Sequence, residues 1–138
     1  AYQLELCQNY DLLKKLLSPV WSDFDHDPDL ENFPENEKAE ILLICGRLLL
    51  KFGRSKNLKN FIERGRDYLT LSIESFGESG NENKAAEARL AIADAYFLEG
   101  RDEEFLIYLD ESEANYRGGK NDPVKLLMIV YRLVFYNR

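Results

Sequence analysis

The sequence predicts an all-α fold of about six helices, and three observations carry that reading. Apolar residues recur at three- and four-residue steps in one segment after another, the period of a helix face. Most glycines and prolines stand at the ends of those segments. No stretch alternates apolar and polar residues, and no Asn-Gly or Asp-Gly pair joins two β-branched runs.

Leu6, Tyr10, Leu13 and Leu17 fall at i, i+4, i+7 and i+11 and define one stripe of a first helix that ends before Pro19. Cys7 borders the stripe. Residues 22–35 carry two prolines and many acids without periodicity, so they read as a surface loop whose start Trp21 anchors in the core. Residues 36–52 hold strong helix formers and no proline, with Gly53 where a C-cap glycine belongs. Leu58, Phe61, Ile62, Gly65, Leu69, Ile73 and Phe76 give a long third helix up to Gly77. A polar turn releases a fourth helix over 84–99, stopped by Gly100. The fifth turns Phe105, Leu106, Leu109 and Ser112 inward. Gly118, Gly119, Asn121 and Asp122 then break the chain, and Pro123 opens a sixth helix that reaches about Tyr136. Short turns between helices favour antiparallel neighbours.

The length of 138 residues suits one domain that buries roughly two-thirds of its unfolded surface. Hydrophobic residues at 45% and charged residues at 31% mark a chain that folds. A net charge of −7 argues against nucleic acid as the partner of this domain, since phosphate binding needs a positive field. Cys7 and Cys45 lie far apart inside apolar patterns and read as reduced core residues of a cytoplasmic protein. No apolar run approaches the ~20 residues that span a bilayer. The chain begins at Ala1 without a methionine, as expected of a piece of a longer protein.

A shift of 47 residues lays Ala39-Glu40 on Ala86-Glu87, Gly46 on Ala93, Leu49 on Tyr96 and Gly53 on Gly100. A small residue that admits a neighbouring helix, a large one three later and a closing glycine four further on resemble the tetratricopeptide repeat. Ala93, Tyr96 and Gly100 match that pattern directly. Ser112 takes the small position of the second helix, while Phe105 stands where the family prefers alanine. The spacing exceeds the family period of about 34 residues, and the excess falls in the turn and long helix over 54–77.

The resemblance implies antiparallel helix pairs stacked as a short right-handed solenoid. Its parts are a leading helix and acidic loop (1–35), an irregular repeat (36–77), a better repeat (78–117) and a terminal helix (118–138). It also implies a non-catalytic scaffold that binds a peptide or partner protein in a groove lined by the first helix of each repeat. Carried over, the lining is Glu40, Leu43, Arg47, Leu50 and Lys51 in one copy, and Glu87, Leu90, Asp94, Phe97 and Leu98 in the other. Arg47, Leu50, Lys51, Leu90, Asp94 and Phe97 are the principal candidates. Residues 67–104 carry a fainter resemblance to the helical-repeat region of bacterial transcriptional regulators, which implies a sensing arm whose effector domain is not in this chain.

Catalytic and cofactor chemistry find little foothold. The single histidine, His26, lies in the acidic loop with no marked nucleophile, so neither an active site nor a cofactor is expected. Asp25, Asp27 and Asp29 offer oxygen ligands at alternate positions, but an EF-hand-type loop wants glycine sixth and glutamate twelfth where this chain has Leu30 and Asn36. No metal is expected there. The 16 tyrosines and phenylalanines recur at core spacing without interleaved cations, unlike a base-stacking surface.

Two surface features remain. Arg47, Lys51, Arg54, Lys56, Lys59, Arg64 and Arg66 make residues 47–66 about +6 against about −13 elsewhere. That segment reads as a solvated face or as a dock for an acidic partner. The terminal helix carries apolar residues around most of its circumference, relieved by Lys125, Arg132 and two tyrosines, so both faces expect cover. The cover is a following helix outside this chain, a second copy or a partner; self-association through Val130 and Val134 is the expectation, giving a possible homodimer.

Overall fold

The computed structural model describes residues 15–21, 23–119 and 121–137. Leu6, Cys7, Tyr10 and Leu13 of the expected first helix lie outside the described residues; its end, residues 15–17, is helical. Glu35 and Glu37 near one end and Arg54 near the other complement the helix dipole, and α1 runs Glu35–Ser55 between them. The other helices are α2, Lys59–Glu78, α3, Glu82–Glu99, α4, Asp102–Ala114, and α5, Pro123–Tyr136. The protein is all-α, with no strand among the described residues.

Helix ends follow the local chemistry in two places. Gly100 adopts the left-handed conformation (φ 74°) that closes α3, as its position predicts. Asp122 caps α5 by accepting from the backbone N–H of Val124 and Lys125, with Pro123 in the first turn. Gly53 is different. It does not cap α1, which continues to Ser55; the turn is made by Lys56 and by Asn57 at φ 56°. Gly53 is buried instead, and a Cβ there would lie 3.1 Å from both the Ile62 nitrogen and the Leu58 carbonyl oxygen. Its missing side chain lets the start of α2 close onto the end of α1. The two glycines paired by the repeat shift therefore do different work.

The chain divides into two compact units, Ala1–Tyr68 and Leu69–Arg138, with the division inside α2. In the first, α1 and the beginning of α2 form an antiparallel hairpin. Its tightest point is Gly65, where a Cβ would meet the Gly46 carbonyl oxygen at 2.9 Å. Cys45, Leu48 and Leu49 of α1 and Phe61 and Tyr68 of α2 make a core that receives Trp21 and Phe24 from the acidic loop. Trp21 and Phe24 stack at 4.5 Å between ring centroids, and Phe24 meets the Phe52 ring edge-on at 5.3 Å. Burial pushes the Cys45 thiol up to about 12, so it stays protonated and unreactive at neutral pH.

In the second unit the two-residue connection Gly100-Arg101 folds α4 back along α3. Antiparallel packing is fixed by Ser112, fully buried near the end of α4, whose hydroxyl donates to the Ala86 carbonyl near the start of α3 at 2.8 Å. Ala86, Leu90 and Ala93 pack against Phe105 and Leu109, and Val124 and Met128 of α5 complete this core. Phe105, the departure from the repeat pattern, is its aromatic centre. Its ring lies 5.1 Å from Phe97, 5.9 Å from Tyr131 and 5.3 Å from Phe135.

Candidate interaction surfaces

The acidic loop is tied down by side chains that composition alone presents as surface charge. Trp21 Nε1 donates to the His26 carbonyl at 2.7 Å. Arg64 donates to the Phe24 carbonyl and, at 3.2 Å, to the His26 carbonyl, and it reaches Asp27 at 3.7 Å. It also donates to the Tyr68 hydroxyl at 3.0 Å, which in turn donates to Asp27. Burial, reinforced by the Asp27 carboxylate, pushes the Tyr68 phenol up to about 12, so the hydroxyl remains a donor at physiological pH. Asp27 is thus held by a phenol and a guanidinium. Among the described residues no three His, Cys, Asp or Glu side chains are grouped to hold a metal ion.

Of the seven cations in the basic segment, Arg64 is consequently a structural tie between α2 and the loop. Arg47, Lys51 and Arg66 are half-buried and engaged, whereas Arg54, Lys56 and Lys59 are exposed around the turn from α1 to α2. Lys59 stands in the first turn of α2, which carries no acid, so its charge adds to the positive end of the helix dipole. Leu50, the apolar member of the first lining set, is only 5% exposed and belongs to the core.

In the second lining set Leu90 is likewise buried, at 4% exposure. Asp94 and Phe97 are half-buried and engaged by α5: the Tyr131 hydroxyl donates to the Asp94 carboxylate, and the Tyr131 ring meets the Phe97 ring edge-on at 5.8 Å. These two side chains stand where α5 crosses α3.

The terminal helix shows two unlike faces. Val124 and Met128 are buried, with Tyr131 and Phe135 packed on the same core. Arg132 reaches back to α4, donating to Glu113 at 3.0 and 3.1 Å and to Asp110, and these carboxylates raise its pKa further. On the outer half, Leu126, Leu127, Ile129, Val130, Leu133 and Val134 are 37–58% exposed, and Tyr136 is 69% exposed. Val130 and Val134, the self-association candidates, are in this group at 50% and 47%.

Beside that face lies a cleft of about 250 Å³, lined by Glu113, Tyr116, Lys125, Met128 and Ile129. The sequence carries no motif that joins these residues, because the turn after α4 and the start of α5 bring them together. That turn is set by the Tyr116 hydroxyl on Asp122, which, with the N–H groups of Lys125 and Val124, holds the Asp122 carboxyl below its usual range. Among the described residues no helix is long and apolar enough to cross a membrane. Comparison of the chain with known protein families, with curated proteins and with solved structures finds no match to any of the three.

Proposed function

We propose that this chain is a non-catalytic helical-repeat module of the tetratricopeptide kind, which binds a peptide or partner protein through the surface of its paired helices. What supports the reading is a succession of two antiparallel hairpins, each closed on a contact between small groups. Gly46 meets Gly65 in the first, and Ala86 meets Ser112 in the second. Such contacts let backbones approach closely and leave the larger side chains for the core and for ligands. Arg47 and Lys51 are the half-buried cations of the first lining set and outnumber its one acid, the equally half-buried Glu40, a balance that favours an acidic partner.

The test uses a fluorescent twelve-residue peptide of alternating glutamate and leucine at low ionic strength. Arg47→Glu combined with Lys51→Glu is expected to weaken its binding more than tenfold. Lys56→Glu combined with Lys59→Glu should weaken it only two- to threefold, by lowering the general field. Exposed charge changes normally move stability within ~0.5 kcal/mol, so the Lys56 and Lys59 variant should melt close to the parent. Arg47 and Lys51 are half-buried and engaged, so their reversal should lower the melting temperature measurably, and binding is compared at a temperature where far-UV circular dichroism shows both variants folded. Equal effects from the two pairs would reduce the basic segment to a solvated face, and an unaltered affinity in the first variant would remove the lining assignment.

A further inference from the structure

We infer that the outer face of α5 is a self-complementary interface and that two copies of this chain associate through it as an antiparallel, two-fold helix pair. The inference is independent of the peptide-binding proposal, because it uses a different helix and a different class of contact.

The face is set by helix geometry. With 100° between successive residues, Leu126, Val130 and Leu133 point opposite the buried stripe of Val124, Met128, Tyr131 and Phe135. Leu127 and Val134 flank one side of that ridge, and Ile129 and Tyr136 flank the other. The helix contains no acid, and its two cations stand off the ridge: Lys125 beside the cleft and Arg132 bound to Asp110 and Glu113. Nothing charged therefore has to be desolvated at the centre of the face.

Area identifies a second copy as a sufficient occupant. Taking the observed exposures, the seven large side chains present on the order of 600 Å² per chain, so a symmetric pair that covers all of it buries about 1,200 Å² from these side chains, the lower bound for specific interfaces. As an unpartnered surface it would equal the largest apolar patches that monomers carry.

Register follows from the positions. An antiparallel pair centred on Val130 sets Val130 against its own copy, Leu126 against Leu133 and, on the flank, Leu127 against Val134, so every large residue of the ridge meets another. It opposes the two helix dipoles and brings Lys125 towards the Tyr136 ring of the other copy. A parallel pair would instead align the dipoles and set Lys125 beside Lys125. A closed two-fold pair also consumes the whole face and leaves no sticky edge for further growth.

The experiment is sedimentation equilibrium of the full chain, with cross-linking as a second readout. The parent should be a dimer at tens of micromolar. Val130→Glu should raise its dissociation constant at least a hundredfold while far-UV circular dichroism remains unchanged. Because a glutamate could fray α5, Val130→Cys in a Cys7→Ser background provides the geometric check. It should oxidise rapidly to a covalent dimer, whereas a Leu126→Cys chain should cross-link with a Leu133→Cys chain faster than with itself. A monodisperse monomer at several hundred micromolar with α5 folded would overturn the inference. So would a dimer that survives Val130→Glu, or Leu126→Cys pairing best with itself, the signature of the parallel arrangement.

Discussion

Trp21→Ala is expected to destabilise the first unit by about 3–5 kcal/mol, the range for truncating a large buried aromatic. The side chain is 2% exposed and packs on Phe24 and Tyr68. It also holds the loop by polarity, through the indole N–H on the His26 carbonyl, which Arg64 shares. Trp21→Phe keeps one ring but loses the donor and part of the buried indole volume, so it should cost about 2–3 kcal/mol, less than the alanine variant. Urea unfolding followed by far-UV circular dichroism reads both variants, and limited proteolysis should show early cleavage within residues 23–33 in the alanine variant. An alanine variant within 1 kcal/mol of the parent would mean that α1 and α2 hold their packing without the loop.

Gly65→Val is the second large effect, expected at about 3 kcal/mol or more. A Cβ at this position would meet the Gly46 carbonyl oxygen at 2.9 Å and the Leu50 nitrogen at 3.1 Å. Both are backbone atoms inside a helix, so neither can rotate away, and relief requires α1 and α2 to move apart. Even Gly65→Ala should destabilise, although alanine is favoured over glycine by about 1 kcal/mol in a helix interior. Gly77 supplies the opposite sign on the same helix. Nothing lies within 4 Å of a Cβ there, so Gly77→Ala should stabilise by a few tenths to about 1 kcal/mol. Chemical denaturation of the three variants checks the pattern; a neutral Gly65→Ala would show that the hairpin separates without cost.

The helical class and most helix ends were legible because they depend on neighbours in sequence. Gly100, Asp122 and Pro123 act within one turn of their own positions, and each does what its type predicts. Gly53 was misread for the complementary reason. A glycine that ends an apolar pattern is equally a cap or a close approach, and only the arrival of Ile62 and Leu58 distinguishes the two. Arg64 shows the same limit in charge: its hydrogen-bond partners at Phe24 and His26 are 40 and 38 residues away. The lining residues were carried over by position, which says nothing about local burial, and Leu50 and Leu90 stand inside their cores. The outer face of α5 was legible from composition, since a helix that is apolar all round has more apolar surface than one neighbour can cover.

The two-residue connection at Gly100 also bears on how this half of the chain acquires its structure. The entropy of closing a loop grows with the logarithm of its length, so joining α3 to α4 through Gly100 and Arg101 is among the least demanding closures available. The contact of Ser112 with Ala86 spans only 26 residues, and all the intervening positions but Gly100 and Arg101 are helical. Contacts of such low order are the ones chains make fastest. A single glycine in a left-handed conformation thus gives the second unit a short search, in which Phe105 is expected to reach Phe97 before α5 has to find either ring.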